Sequence, residues 1–166
     1  MPTLIELKDG VYRGVEDPFT HVADDEDMAT GDVIVSLARF QSEGEGLLSE
    51  GRRVGLRLKA EEEAEALAYD LPRLAVVALE FPKYRDGRAY TNARLLRERF
   101  KFAGQVRAVG DVLREQAGFM VRVGFDAFEP ADDASANEWQ AAAGRYRHVY
   151  QRSADGRAPA FAEREA

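Results

Sequence analysis

Leu74-Ala-Val-Val-Ala-Leu-Glu-Phe-Pro82 is the stretch that decides the fold class. It is apolar without a break from Leu74 to Leu79, the pattern of a strand buried on both faces of a parallel sheet. Phe81-Pro82 ends it, because proline lacks an N–H and biases its predecessor towards extended geometry. The next segment, Lys83-Tyr-Arg-Asp-Gly-Arg-Ala-Tyr-Thr91, opens a helix with Asp86 as its expected N-cap. In that helix Ala89, Ala93, Leu96 and Phe100 form one buried stripe, and Tyr90, Arg94, Arg97 and Lys101 share a neighbouring face. Gly104 is the expected C-cap. A second unit follows: a strand over 106–109, Asp111 as cap, and a helix over 112–123 with Leu113, Ala117 and Met120 on its apolar side. Gly124 closes that helix, and 125–128 reads as another strand. Strand and helix alternating through short connections predict parallel α/β architecture.

Working outward, segments 3–7 and 10–13 predict a hairpin around Lys8-Asp-Gly10, since Asp-Gly is a strong turn signal. Residues 16–32 are acidic and turn-rich around Asp24-Asp-Glu-Asp27, but lack the spaced ligands and glycine of a calcium loop, so a solvated linker is expected. A strand over 33–35 follows, then a helix capped by Ser36 running towards Leu48 and weakened by Gly44 and Gly46. A strand over 53–58 and a helix over 61–69 with an acidic first turn complete the approach to the core stretch. Beyond it lie a helix over 135–144 carrying Trp139, a final strand over 146–151 and a polar, frayed tail. The division is an N-terminal hairpin and acidic linker over 1–32, one α/β domain over 33–152, and a tail over 153–166.

Arg57, Glu80, Arg107 and Asp126 each fall within or at the end of a predicted strand. Unpaired mid-strand charges sit poorly in an open sheet covered on both sides. They therefore favour a curled, partial (β/α)-barrel-like sheet, with an open doubly wound sheet as the alternative. The charges line an inner face near the C-terminal strand ends, where α/β sites gather, or they form a structural ion-pair network; the sequence weighs the two equally. A partial barrel leaves sheet edges to cover, so a homodimer is expected.

The 166 residues suit a single core, and no cysteine is present, which removes disulfides, thiolate metal sites and a cysteine nucleophile. Neither a membrane-span-length apolar run nor a signal-peptide pattern occurs, so a cytoplasmic bacterial-type protein is expected, with no membrane partner. The formal charge of −7 hides ten Lys/Arg against four Asp/Glu between Lys83 and Arg122. A basic segment in an acidic chain favours an anionic small molecule or an acidic protein over nucleic acid. For Arg97 and Lys101 a solvated helix face is the favoured reading. His21 and His148 lack metal-ligand spacing and read as structural or surface residues, and Trp139, Phe125 and Phe128 read as core. No metal site is expected.

The candidate anion or partner site is the loop and helix start Asp86, Gly87, Arg88, Tyr90, Thr91 and Arg94, joined by Arg107, Asp111 and Asp126. A glycine-containing turn opening a helix offers free N–H groups, and Arg88 adds a bidentate contact to sulfate, phosphate or carboxylate. The spacing is neither a P-loop nor a three-glycine dinucleotide fingerprint. No catalytic residue and no cofactor can be assigned.

Several runs carry a resemblance: Asp86-Gly-Arg-Ala-Tyr-Thr91, Ala93-Arg-Leu-Leu-Arg-Glu-Arg99, Val106-Arg-Ala-Val-Gly-Asp-Val112, Gln116 and Arg122-Val-Gly-Phe-Asp-Ala-Phe128. Over residues 33–151 the chain resembles a bacterial domain-of-unknown-function family encoded beside sulfite reductase and phosphoadenylylsulfate reductase in assimilatory sulfate-reduction operons. The resemblance implies a pathway association, an oxidoreductase label in sulfite reduction, and sulfite reductase or another sulfur-assimilation protein as partner. It supplies no catalytic residue. The chain departs from the family at Ala89-Tyr-Thr91, where Gly-Tyr-Ser is expected, and at Val123, where a cysteine is frequent; the second departure argues against thiol chemistry. Two functions follow. One is an accessory of sulfite reduction that binds a redox partner or an oxyanion through its basic face. The other is a small oxidoreductase or oxyanion-processing enzyme with Arg88, Arg107, Asp111 and Asp126 around its site. Without cysteine, nucleotide fingerprint or histidine constellation the first is favoured, and electrons for the second must come from a bound cofactor or a partner chain.

Overall fold

The computed structural model describes residues 4–164. Eight strands form one sheet in the order β2-β1-β8-β7-β6-β5-β4-β3. They are β1 (Leu4–Lys8), β2 (Val11–Val15), β3 (Phe19–His21), β4 (Asp32–Ser36), β5 (Val54–Leu58), β6 (Val76–Phe81), β7 (Gln105–Gly110) and β8 (Ala127–Phe128). From β3 to β8 each strand pairs in parallel with the next in the chain, while β1 runs antiparallel to both β2 and β8. The helices are α1 (Leu37–Ser49), α2 (Arg88–Arg94), α3 (Ala117–Val123), α4 (Ala136–Ala143) and α5 (Ala160–Glu163). Right-handed crossovers between sequential neighbours place the connecting helices on one face. That face holds the larger core, with Val33, Val35, Leu56, Leu58, Val77, Leu79, Val106 and Ala108. The alternate residues Ile34, Val76, Ala78 and Val109 point to the other face and pack with Phe19. Gly55 leaves room there: a Cβ on it would lie 2.7 Å from Ile34 Cγ1.

The sheet is curled, and the chain path shows why. Only Glu16, Asp17 and Pro18 separate β2 from β3, the two outermost strands. Laid flat, eight strands would hold those edges roughly 34 Å apart, whereas three linking residues reach about 15 Å at most. The 16–18 strap therefore forces the edges towards each other and leaves a concave interior. His21 and Glu129 confirm it: they stand at the ends of β3 and β8, with four strands between them in the sheet, yet Nε2 and Oε1 are 2.7 Å apart.

The hairpin, the α/β alternation and the curl agree with the sequence reading, and Thr3 lies outside the described residues. Other elements differ. The acidic 16–32 segment contains β3, a three-residue strand that pairs with β4. The predicted helix over 61–69 is replaced by one 3₁₀ turn, Ala64–Leu67, and a second, Leu71–Arg73, follows it. The buried Asn92 side chain holds the first turn by accepting Ala64 N–H (3.1 Å) and donating to Glu62 O (2.9 Å). The N-cap position of α2 is Gly87, not Asp86, although the Asp86 carboxylate accepts the N–H of Arg88, the first residue of α2, at 3.1 Å. After α2 the chain continues as a π turn, Leu95–Arg99, and Lys101 (φ 54°), not Gly104, takes the left-handed conformation. Asp111 does not start the next helix: its carboxylate accepts Tyr84 N–H at 2.7 Å, and α3 begins only at Ala117. The 146–151 segment is no strand, and its one β-bridge joins Val149 to Pro159. The tail is partly ordered, with α5 inside it. Among the described residues no helix is long and apolar enough to cross a membrane.

Candidate functional site

Each of the four strand charges is ion-paired. Arg57 on β5 meets Glu80 on β6 through two contacts, Nε to Oε2 at 3.2 Å and Nη2 to Oε1 at 3.1 Å. Arg107 has no exposed surface on its side chain and lies on the concave face. Its Nη1 donates to Asp17 Oδ2 (2.6 Å) and Glu129 Oε1 (2.9 Å), Nη2 to Asp17 Oδ1 (3.2 Å), and Nε to Gln105 Oε1 (2.9 Å). The same guanidinium lies 5.7 Å from the Phe19 ring centroid. Burial acts to raise the Glu129 carboxyl, but the hydrogen bonds and charges of His21 and Arg107 hold it below its ordinary value. Asp17, His21 and Glu129 bring one ligand atom each within 4.8 Å of one another, a spacing a cation can bridge. Arg107 Nη1 already stands between the two carboxylates, so a metal there would meet a fixed positive charge. The cluster reads as the lock of the strap. Its two carboxylates close the curled sheet over β7.

Asp126 is the fourth strand charge. It accepts Val106 N–H (2.8 Å) and Arg97 Nη2–H (2.9 Å), and burial raises its pKa despite both contacts. Arg97 is not a solvated residue. It also donates to Gly124 O (2.9 Å), Phe102 O (2.8 Å) and Gly104 O (2.8 Å), tying the end of the π turn to the start of β8. Its side chain runs directly over Gly124, where a Cβ would lie 2.3 Å from Arg97 Cγ and φ is +107°.

The loop residues are positioned on the helical side. Arg88 folds back on Asp86: the carboxylate accepts the Arg88 backbone N–H at 3.1 Å and its Nη2–H at 2.6 Å. The side-chain and backbone hydrogen bonds from Arg88 lower the Asp86 pKa to about 2. An outside oxyanion must compete with Asp86 for this guanidinium. Arg107, committed on the concave face, does not join the loop, and Asp111 and Asp126 hold backbone N–H groups. Freeing Arg88 by Asp86→Asn is expected to raise sulfite or sulfate affinity about tenfold, read by calorimetric titration. An unchanged affinity would show that Arg88 does not bind the anion.

Tyr90 and Arg94 open instead onto a cleft of about 1020 Å³, and Thr91 beside them is exposed. Its walls are α2, the 3₁₀ turn Arg114–Gln116 with α3, the end of α4, and the segment from Arg145 to Arg157. Five arginines line it (Arg94, Arg114, Arg122, Arg145 and Arg157) against one glutamate, Glu115. Four aromatic rings join them: Tyr90, Phe119, Tyr146 and Tyr150. Tyr90 packs edge-on against Phe81 at 5.3 Å, and burial raises its pKa. The C-terminal wall is pinned by Arg122, which donates to Asp155 and to Gln151 O. Ala160 N–H to Val149 O (2.8 Å) and His148 to Glu163 (2.6 Å) close the same segment on itself. Of these arginines, Arg94 pairs with Glu98 and Arg114 with Glu138, whereas Arg145 and Arg157 have no carboxylate partner among the described residues.

Sequence reading reached Tyr90 and Arg94 but missed the tail. Its signal was Arg145-Tyr-Arg-His-Val-Tyr150, in which basic and aromatic residues interleave.

A curled parallel α/β sheet carrying a basic, aromatic cleft on its helical side defines the class of protein. The chain belongs to a bacterial protein family of unknown function, DUF934, whose family model matches residues 55–161. That span contains every residue lining the cleft. No curated protein matches the chain.

Proposed function

We propose that the protein is an accessory of assimilatory sulfite reduction that uses this cleft to take an anionic group. The carrying observation is the cleft itself: Arg94, Arg114 and Arg122 are paired with carboxylates, but Arg145 and Arg157 are left without one among the described residues, in a chain whose formal charge is −7. Such a local reversal of sign steers anions to one place on an otherwise repelling surface. The pathway rests on the resemblance over residues 33–151 to the family encoded beside sulfite reductase, and sulfite reductase is the proposed partner. Tyr90 and Arg94 link the loop–helix face to the cleft.

The test is sulfite-dependent electron consumption by sulfite reductase with and without this protein. Addition of the wild type is expected to raise turnover, and the double variant Arg94→Glu/Arg145→Glu to remove the increase. Both side chains are exposed, so the fold should survive. Equal turnover in all three cases would end the accessory reading.

A further inference from the structure

We infer that the anionic group taken by the cleft is a phosphate-bearing planar ring, of the mononucleotide or flavin mononucleotide class. The inference rests on reading the cleft as an anion site and adds its ligand. Size speaks first. At about 1020 Å³ the cleft lies at the upper end of the roughly 300–1,000 Å³ typical of drug-sized ligand sites, and a sulfite ion would leave nearly all of it empty. The rings speak next. Phe119, Tyr146 and Tyr150 are 67%, 68% and 90% exposed, three large aromatic faces around one cleft. A planar ring stacks on such faces, whereas an acidic peptide would match the arginines and leave the rings without a counterpart.

Charge fixes the other end of the ligand. Arg145 and Arg157 line the cleft with no carboxylate partner among the described residues, and a guanidinium fork suits a phosphate monoester. The Arg157 Nη2 contact to Arg147 O at 2.6 Å and the Arg157 N–H contact to Asp155 at 3.2 Å hold that arginine in place. A nucleic-acid polymer fits less well, because the chain as a whole is acidic and the cleft is local, not a track. The site needs no glycine-rich phosphate loop, since side chains supply the positive charge.

Flavin mononucleotide, AMP, riboflavin and inorganic phosphate are the probes, followed by flavin fluorescence and by calorimetry on the full chain. Flavin mononucleotide or AMP is expected to bind, riboflavin at least about tenfold more weakly than flavin mononucleotide, and phosphate more weakly still. Arg145→Gln/Arg157→Gln should weaken binding about ten- to a hundredfold at an unchanged melting temperature. Phe119→Ser should weaken the ring-bearing probes and leave phosphate unaffected. Riboflavin binding as tightly as flavin mononucleotide, phosphate binding as tightly as either nucleotide, or no binding by both nucleotides would each overturn the inference. If no nucleotide binds but Arg94→Glu/Arg145→Glu still abolishes stimulation of sulfite reductase, the ligand assignment falls and the accessory reading stands. Nucleotide binding without stimulation has the opposite meaning.

Discussion

Replacing Arg107 by alanine is expected to cost about 3–5 kcal/mol of folding stability, the range for removing one partner of a buried ion pair. The reason lies in what remains. Asp17 and Glu129 would face each other across the concave side without the guanidinium that now donates to both. The strap that carries Asp17 would lose its anchor on β7. Against a typical total of about 5–15 kcal/mol, that is a large fraction. Urea unfolding at neutral pH checks it. A triple replacement, Arg107→Met with Asp17→Asn and Glu129→Gln, should recover most of the loss, because exchanging the whole network leaves no charge stranded. No recovery would mean that Arg107 acts by shape alone.

The same cluster sets an acid limb. Glu129 is held below its ordinary value of 4.5 in the folded chain, so its contribution is fully present above that value. It is lost as the pH falls through the lower folded value. Asp126 opposes it: raised by burial, its ionised form costs stability, and protonation relieves that cost. The wild type should therefore lose stability below pH 4.5, and Glu129→Gln should flatten that loss; identical acid limbs would exclude Glu129 as the group responsible.

The units from β6 to β8 were legible because local pattern and final environment agree. The run 74–79 is buried but for the partly buried Ala75, and Ala89, Ala93 and Leu96 pack as their spacing predicts. What was not legible depends on strand order. Glu16-Asp-Pro18 looks like ordinary linker until β2 and β3 are known to be opposite edges, and only then does Asp17 acquire its buried partner. Arg97 shows the same limit, since helical spacing places it beside Arg94 while its guanidinium reaches the carbonyls of Phe102, Gly104 and Gly124. The 61–69 segment has helical composition, yet Asn92 from α2 supplies the bonds that hold it as a 3₁₀ turn. For the cleft, helix pattern revealed one wall, and the other wall depends on long-range contacts such as that of Arg122 with Asp155, which hold the tail back.

Trp139→Ala is the second large effect, about 3–5 kcal/mol for truncating a fully buried large aromatic. Trp139 sits on α4, whose first turn is fixed by the reciprocal Ser135 and Glu138 capping bonds. Its ring lies 4.7 Å from Phe128 on β8, and Phe128 stacks at 5.9 Å on Tyr12 of β2. One residue along, Gln140 accepts Tyr12 N–H at 2.9 Å and donates to Gly10 O at 3.2 Å, so α4 clamps the N-terminal hairpin to the sheet. The indole Nε1 is buried without a hydrogen-bond partner among the described residues. Trp139→Phe therefore strands no polar group and removes an unsatisfied donor, so it should cost only about 1–2 kcal/mol. The two variants separate packing from hydrogen bonding: circular dichroism during urea unfolding should give the order wild type, Phe, Ala. Because α4 also contributes Ala142 and Ala143 to the cleft, the alanine variant should lose the stimulation of sulfite reductase proposed above together with stability, while the phenylalanine variant keeps both. Equal losses for Phe and Ala would show that Nε1 has a partner essential to the fold, contrary to the packing described.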